Sequence, residues 1–426
     1  MQLTELSVQG LFGKYDHKVS FPTSGEDEAR PSVVIIHGPN GVGKTTILRM
    51  LSGMMRLDFS LFRAIPFSVA RLSFSTGKHQ EVTKREDGVL AVTFDGTTAL
   101  LDPGHSGPWR SEDQKATDAL RSKFMIATES LTYEYLGASR VQPTRDDDPA
   151  SQLINLTRLR RESARGEVSS EDLMRAEAHI LSREHQRNAI GLSEKVQRFI
   201  ADAQLDYGTF FRSSDPDLFL RIINDLSQST SSPVRVDEFR DAFARVHTMD
   251  AVHARLGLGR DDWDFDELMR LLDEKRGQLD ERALAVIGTY ADFLESRANK
   301  RQLVAERLVA FEEVLADFFT GKTVQVDARR GVTISSEDGL ALDESQLSSG
   351  EYQLLYLMVA ALTTRRRGTV IAIDEPELSM HIAWQRRLVP SLIRCASRAA
   401  PQLVLATHSP DIAAGYPESM TELGAG

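Results

Sequence analysis

The chain opens with alternation and then abandons it. Leu3 to Val8 and His17 to Phe21 alternate apolar and polar residues and end near Gly10 and Pro22. That pattern predicts two strands, each with one solvated face. Ser32 to His37 is instead a continuous apolar run through Val33, Val34, Ile35 and Ile36. Such a run marks a central strand buried on both faces. The polar stretch Ser24 to Glu28 between them reads as an exposed turn. From Thr45 to about Leu61, Ile47, Leu48, Leu51 and Met55 recur at helical spacing. Strand signals return at Arg71 to Thr76 and Val89 to Phe94, with turns at Thr76-Gly77, Asp87-Gly88 and Asp95-Gly96. This predicts an antiparallel β-layer. A further strand is predicted near Tyr133-Glu134-Tyr135-Leu136.

Residues 146–320 read as mostly helical, with a polar break from Ser227 to Pro233. A long pattern follows: Leu268, Leu272, Leu279, Val286 and Phe293 at near-heptad spacing, an interruption at Lys300, then Val304, Leu308, Phe311, Leu315 and Phe318. It suits either an ordinary helical bundle or a two-helix coiled-coil arm. The strand pair Thr323 to Asp327 and Gly331 to Ile334 comes next, then an apolar helix from Tyr352 to Leu362. Two more buried strands, Thr369 to Ile373 and Gln402 to Ala406, end the pattern. Parallel-type buried strands at both ends predict one α/β core split by a long helical insertion. The expected division is 1–145, 146–320 and 321–426, the outer two forming a single head.

Composition narrows the class. A chain of 426 residues is long enough for two to three domains at roughly 150 residues each. With 41% hydrophobic and 27% charged residues the mix is globular. The net charge of −11 argues against a whole-surface nucleic-acid coat and leaves room for a local basic groove. Cys395 is the single cysteine, which excludes an intrachain disulfide and a cysteine metal cluster. No apolar run approaches a membrane span, and the start lacks a basic segment followed by an apolar one. A cytoplasmic protein without a membrane partner is expected.

Four short segments carry chemistry. Gly38-Pro39-Asn40-Gly41-Val42-Gly43-Lys44-Thr45 satisfies G-x-x-x-x-G-K-[ST], between a predicted buried strand and a helix. Gly41 and Gly43 let the backbone curl so that N–H groups point at a phosphate, and the helix start adds positive charge. Lys44 places a point charge on the β- and γ-phosphates and the Thr45 hydroxyl can ligate magnesium. Gly38, Asn40 and Thr46 complete the expected phosphate contacts. Ile371-Ala372-Ile373-Asp374-Glu375 is an apolar strand ending in acids. Asp374 is placed to hold magnesium, and Glu375 to polarise the attacking water. Leu347-Ser348-Ser349-Gly350-Glu351 taken alone reads first as a helix N-cap with an acid in the first turn; a serine and a glycine N–H at a helix start are also an anion site. His408, in Ala406-Thr407-His408-Ser409-Pro410, follows the last apolar strand. A histidine there is ordinarily structural, and here it also has the spacing of a γ-phosphate sensor.

In this order the four segments resemble the phosphate loop, signature, acid strand and switch histidine of ABC-type ATPases. The closer resemblance is to the overcoming-lysogenization-defect-like group and its stand-alone AAA-domain relatives. Their heads are similar to those of chromosome-maintenance and DNA-repair ATPases. It is carried by Leu11-Phe12-Gly13-Lys14-Tyr15-Asp16, Gln346-Leu347-Ser348-Ser349-Gly350-Glu351, Asp374-Glu375-Pro376-Glu377-Leu378-Ser379-Met380-His381 and Ala406 to Pro410. It covers roughly residues 1–145 and 320–420. The resemblance implies a P-loop head with a β-layer and helical insertion, and a head-to-tail homodimer, or higher homo-oligomer, sandwiching ATP and magnesium. Lys44, Thr45 and Asp374 would act in one subunit, and Ser348 and Gly350 on the nucleotide of the other. Glu375 would be the general base and His408 would steady the γ-phosphate. Ser379 matches the loop that crosses the dimer seam. Gln142 is the candidate for the magnesium-contacting glutamine, with Gln80 behind it. Ser349 stands where many such ATPases have glycine, and Glu351 where transporters often have glutamine. Only 18 residues follow His408, too few for the nuclease domain some group members carry. A nuclease activity is therefore expected from a separate effector protein, with DNA as a further candidate partner. Arg158, Arg160, Arg161 and Arg165, and Arg365 to Arg367, are the basic clusters that hint at nucleic acid. The group analogy also points to anti-phage defence or DNA maintenance.

Two other classes compete. A transport ATPase fits poorly with so long a helical insertion. A sensor or scaffold that binds ATP and hydrolyses it little fits the same motifs, though an intact Glu375 favours turnover. The phosphate loop is not a dinucleotide fingerprint. The ten histidines show no paired zinc spacing.

Overall fold

The N-terminal alternation becomes an antiparallel pair, β1 (Leu3–Leu11) and β2 (Tyr15–Ser20), joined through Phe12 and Gly13 at positive φ. These belong to a computed structural model that describes residues 1–23, 31–101, 114–137, 191–227, 236–259, 264–275, 279–365, 368–397 and 399–424. The chain divides into two compact units, Met1–Gln142 with Leu347–Gly426, and Pro143–Gln346. In the first, the apolar run Ser32–His37 forms β3, followed by α1 (Lys44–Arg56). The helix stops short of the expected Leu61. Leu57 takes a left-handed conformation (φ 56°) and its N–H returns to the carbonyls of Gly53 and Met54, ending the helix as a C-cap does. A short α2 (Ser60–Ala64) follows, and Lys84 Nζ donates to the carbonyls of Phe62, Arg63 and Ile65 at its C-terminal end.

Strands β4 (Val69–Phe74), β5 (His79–Lys84), β6 (Leu90–Phe94) and β7 (Thr97–Leu101) extend the first pair. Together they form an antiparallel sheet of order β2-β1-β4-β5-β6-β7. Leu72, Val82 and Val92 lie in its core, where Phe74 and Phe94 meet Phe124 of α3 (Gln114–Ala127) edge to face. Then comes β8 (Tyr133–Leu136).

The second unit holds α4 (Leu192–Ser227), α5 (Val236–Arg255), α6 (Phe265–Glu274) and α7 (Glu281–Phe318). Asp264 and Asp280 cap α6 and α7 by accepting from the backbone N–H of Glu267 and Ala283, and the second of these caps cuts the long pattern in two. Helix α7 runs straight through Lys300. Among the described residues the packing is that of a bundle: α7 lies against both α4 and α5. Phe239, Phe243 and Val246 share a core with Leu272, Leu294 and Ala298. Strands β9 (Lys322–Asp327), β10 (Gly331–Ser336) and β11 (Ala341–Leu342) form a small sheet of this same unit. They were expected within 321–426 of the head. The division falls after Gln346 instead, because β10 packs on α4 and β9 on α7.

The chain then re-enters the first unit with α8 (Ser349–Thr363), β12 (Val370–Asp374), α9 (Ile382–Cys395), β13 (Gln402–Ala406), α10 (Pro410–Ala413) and β14 (Met420–Glu422). The second sheet is wholly parallel, of order β14-β3-β13-β12-β8. Its register pairs Asp374 with Ala406, Ala406 with Ile36, and Ile373 with Leu136. The segments after β3, β8, β12 and β13 therefore emerge along one edge. In parallel sheets that carboxyl edge is where ligands bind. No helix among the described residues is long and apolar enough to cross a membrane.

Candidate active site

At that edge the loop between β3 and α1 is shaped by glycine. Gly41 and Gly43 have φ of 84° and 99°, a region that residues with a side chain enter only under strain. A Cβ on Gly43 would stand 2.8 Å from Leu11 Cδ2 and 3.2 Å from the Phe12 ring. A Cβ on Gly38 would meet the Leu423 carbonyl at 2.6 Å, so the C-terminal strand packs directly behind the loop. Buried His17 donates from Nε2 to the Val42 carbonyl at 2.8 Å and ties β2 to the loop.

Lys44 opens α1 and is buried. Its Nζ donates to the carbonyls of Gly38 (2.7 Å) and Pro39 (3.0 Å) and to Nδ1 of His408 (3.2 Å). Burial pulls its pKa below the ordinary lysine value, against an opposing pull from Glu375, Glu377 and Asp374. Thr45 Oγ1 donates to Asp374 Oδ1 at 3.0 Å, and the Tyr135 hydroxyl to Oδ2 at 3.4 Å. Glu375 leaves the strand at φ 47° while its N–H still donates to the Ala406 carbonyl at 2.8 Å. A left-handed glutamate costs of order 1–3 kcal/mol, and such strain clusters where function requires it. Glu377 Oε1 accepts from the backbone N–H of His408 (2.6 Å) and of Ser409 (3.1 Å), which fixes the loop carrying the histidine.

These residues open on a cleft of about 680 Å³. Asn40, Gly41, Gly43, Lys44, Thr45 and Thr46 line one side. Glu375, Glu377, Leu378 and His408 line the other, with Phe12 also on the wall. Ser348 and Gly350 are not among the lining residues. Ser348 caps α8 and shares a capping box with Glu351: its N–H and hydroxyl donate to Glu351 Oε2 at 2.8 Å, and the Glu351 N–H donates back at 3.3 Å. Ser348 is exposed and Gly350 buried. Gln142, Arg158, Arg160, Arg161, Arg165, Arg366 and Arg367 lie outside the described residues. Gln80 sits on β5, fully buried in the antiparallel sheet, and is not among the residues that line the cleft.

Three residues had no role assigned from the sequence, although Glu377 stands in the run Asp374 to His381. Phe12 was legible only as part of a resembling phrase. Tyr135 reaches Asp374 through the parallel register of β8 and β12, and Glu377 reaches His408 across 31 positions of sequence.

The donor set at Thr45 and Asp374 is a hydroxyl and a buried carboxylate, hard oxygen ligands that suit magnesium. Among the described residues there is no cluster of three or more His, Cys, Asp or Glu that would hold a metal unaided.

Among curated proteins no match is found. Solved structures with similarity include an Smc head domain with an extended coiled coil, bound to the C-terminal domain of ScpA, from Pyrococcus furiosus. It is 13% identical, with 100% of this chain and 94% of that chain covered and a TM-score of 0.40. The SMC head domain from Thermotoga maritima is 10% identical, covering 99% and 94%, with a TM-score of 0.38. A family model described as "AAA domain, putative AbiEii toxin, Type IV TA system" matches residues 159–414, which include Ser348, Asp374, Glu375 and His408. That span is more than half of the chain, and the chain belongs to this AAA-domain family.

Proposed function

We propose that the chain is an ATP-binding and ATP-hydrolysing switch that closes head to tail with a second copy around two nucleotides. One observation carries this reading: the Thr45 hydroxyl on the Asp374 carboxylate, beside a Lys44 ammonium held between loop carbonyls and His408. It brings groups suited to phosphate binding, metal binding and γ-phosphate sensing within reach of one another, which supports the reading.

The backbone N–H groups of the loop and Lys44 would hold the β- and γ-phosphates. Thr45 and Asp374 would hold magnesium, which when bound draws negative charge from the phosphates. Glu375 would take a proton from the attacking water as its oxygen bonds to the γ-phosphorus. The bond from that phosphorus to the β–γ bridging oxygen breaks, and ADP keeps the electron pair. His408 would hold the γ-phosphate oxygens in place. Ser348 and Gly350 would complete the site of the second copy, an arrangement supported by the exposure of Ser348 outside its own cleft. Closure is then favoured only while γ-phosphate is shared, and hydrolysis reopens the pair. The target of that switch would be a separate effector or a DNA-related partner, in anti-phage defence or DNA maintenance; the family description, a putative toxin of a toxin–antitoxin system, supports no more than a role alongside a partner.

The test measures ATP turnover and solution mass together. Wild type is expected to release phosphate, while Lys44→Ala and Glu375→Gln are expected to lose turnover. Glu375→Gln is expected to become a dimer by light scattering only when ATP and magnesium are present. Turnover unaffected by Glu375→Gln would overturn the assigned base. A mass indifferent to ATP would overturn gated closure.

A further inference from the structure

Beside the cleft the chain closes a ring of hydrogen bonds that the chemistry above does not use. The Ser409 N–H donates to Glu377 Oε1 at 3.1 Å, and the Ser409 hydroxyl donates to Gln385 Oε1 at 2.6 Å. Gln385 Nε2 donates to the Met380 carbonyl at 3.1 Å, and the Met380 N–H returns to the Glu377 carbonyl at 2.9 Å. The ring joins the loop of His408 to the turn that carries Ser379, a non-glycine residue at φ 63°. On its far side that turn presses on α8. A Cβ on Gly350 would lie 2.5 Å from the Ser379 carbonyl oxygen and 3.8 Å from the ring of Trp384.

Two features argue that more than packing is involved. Among the described residues Glu377 Oε2 is buried with no hydrogen-bond partner, a costly arrangement for a purely structural acid. And Gly350 leaves no side chain between the Ser379 carbonyl and the helix. Close-packed protein is nearly incompressible, so a shift of the turn must be passed on rather than absorbed.

We propose that this ring is a relay within one chain. It couples occupancy of the chain's own nucleotide site, sensed at His408, to the first turn of α8, which carries Ser348 and Gly350. Glu377 and Gln385 are its positioning residues. The relay rests on the proposed function, in which that first turn serves the nucleotide of the second copy. Each copy would thereby offer a competent α8 start only when its own site is filled.

Trp384 supplies the readout. The chain has three tryptophans, so Trp109→Phe with Trp263→Phe leaves Trp384 alone. With Glu375→Gln added to block turnover, ATP is titrated below the concentration at which copies associate. Trp384 emission is followed, and binding of a ribose-labelled fluorescent ATP is measured in parallel. The emission is expected to change with the same midpoint as binding. Adding Gln385→Met, which keeps the stem and removes both hydrogen bonds, is expected to leave nucleotide affinity within about two-fold. It should lose at least about half of the Trp384 response and weaken ATP-dependent association about ten-fold. Gln385→Glu keeps the acceptor for Ser409 but loses the donor to Met380, so it opens the ring at one link and should give the same loss. It carries the test if Gln385→Met fails to fold. An unchanged response in these variants overturns the relay, as does nucleotide affinity falling in step with the response. A parent that binds nucleotide while Trp384 stays silent overturns the relay alone. A parent that binds no nucleotide overturns the proposed function itself.

Discussion

The Thr45 hydroxyl donates to the Asp374 carboxylate at 3.0 Å, joining positions 329 residues apart. The pair exists because β3 and β12 flank β13 in register, so the helix start after one meets the acid ending the other. Asp374→Asn keeps shape and size but removes the charge that suits a divalent cation. Turnover in this variant is expected to need about 10–100-fold more magnesium, the usual penalty for weakening a metal shell. Thr45→Ser keeps the hydroxyl and should shift the requirement far less. Phosphate release measured against magnesium concentration checks both, and equal curves for Asp374→Asn and wild type would remove Asp374 from the metal site.

Gly43 and Gly41 both take positive φ, but only Gly43 is crowded, by Leu11 and Phe12. A methyl group on Gly41 would meet nothing within 4 Å. Gly41→Ala therefore carries backbone strain alone, of about 1 kcal/mol, whereas Gly43→Ala adds a steric clash and should cost about 1–3 kcal/mol. Urea unfolding of the two variants should rank them in that order. Nucleotide affinity should fall more for Gly43→Ala, because the relaxation that relieves Leu11 also moves the loop.

What was legible in the sequence follows from how local each signal is. Val33 to Ile36, Ile371 to Ile373 and Leu403 to Leu405 are buried on both faces, and their unbroken apolar runs say so. The early end of α1 was not legible. Leu57 carries no stop signal, and it turns because the Asp58 backbone and Phe62 fold back on Gly53, where a Cβ would lie 2.5 Å from the Asp58 carbonyl. The near-heptad run from Leu268 to Phe293 hid a helix boundary because Asp280 is an ordinary acid until its side chain is seen capping a helix. At the site, the loop and the acid strand are compact motifs whose working atoms lie within a few residues. Tyr135 and Glu377 reach Asp374 and His408 through strand register and a long-range loop contact, which no local pattern encodes.

Tyr133 makes stability sensitive to alkali. Its ring is buried, its hydroxyl donates to the Leu48 carbonyl at 3.4 Å, and burial holds its pKa far above the free value of 10.0. In the unfolded chain the phenol ionises near pH 10, whereas in the fold it stays protonated. Its contribution is therefore fully present below pH 10 and is lost as pH rises from there toward the folded pKa. Tyr133→Phe should lose about 1 kcal/mol or less at neutral pH, since the hydrogen bond is long. It should also show a shallower fall in stability above pH 10. Urea unfolding of both proteins across that range checks the slope, and parallel slopes would assign the alkaline sensitivity elsewhere.

Gln402 ties the two sheets of the head together. Its amide makes both possible bonds to one backbone position: the Leu3 N–H donates to Oε1 at 2.9 Å, and Nε2 donates to the Leu3 carbonyl at 3.0 Å. Gln402 and Leu3 are both buried, so water cannot replace either bond. Gln402→Leu fills similar volume but leaves a backbone donor and acceptor unpaired in the interior, at about 1–3 kcal/mol each. Stability should therefore fall by about 2 kcal/mol or more. Hydrogen exchange locates the loss. If the amide pair is the tie, the Leu3 amide should exchange early in the variant, while the amides of Ile373 and Leu405 in the parallel sheet keep their protection until global unfolding. Uniform acceleration at all three would mean that Gln402 matters as core packing, because a lost tie frees one strand end whereas a packing defect lowers the stability of the whole unit.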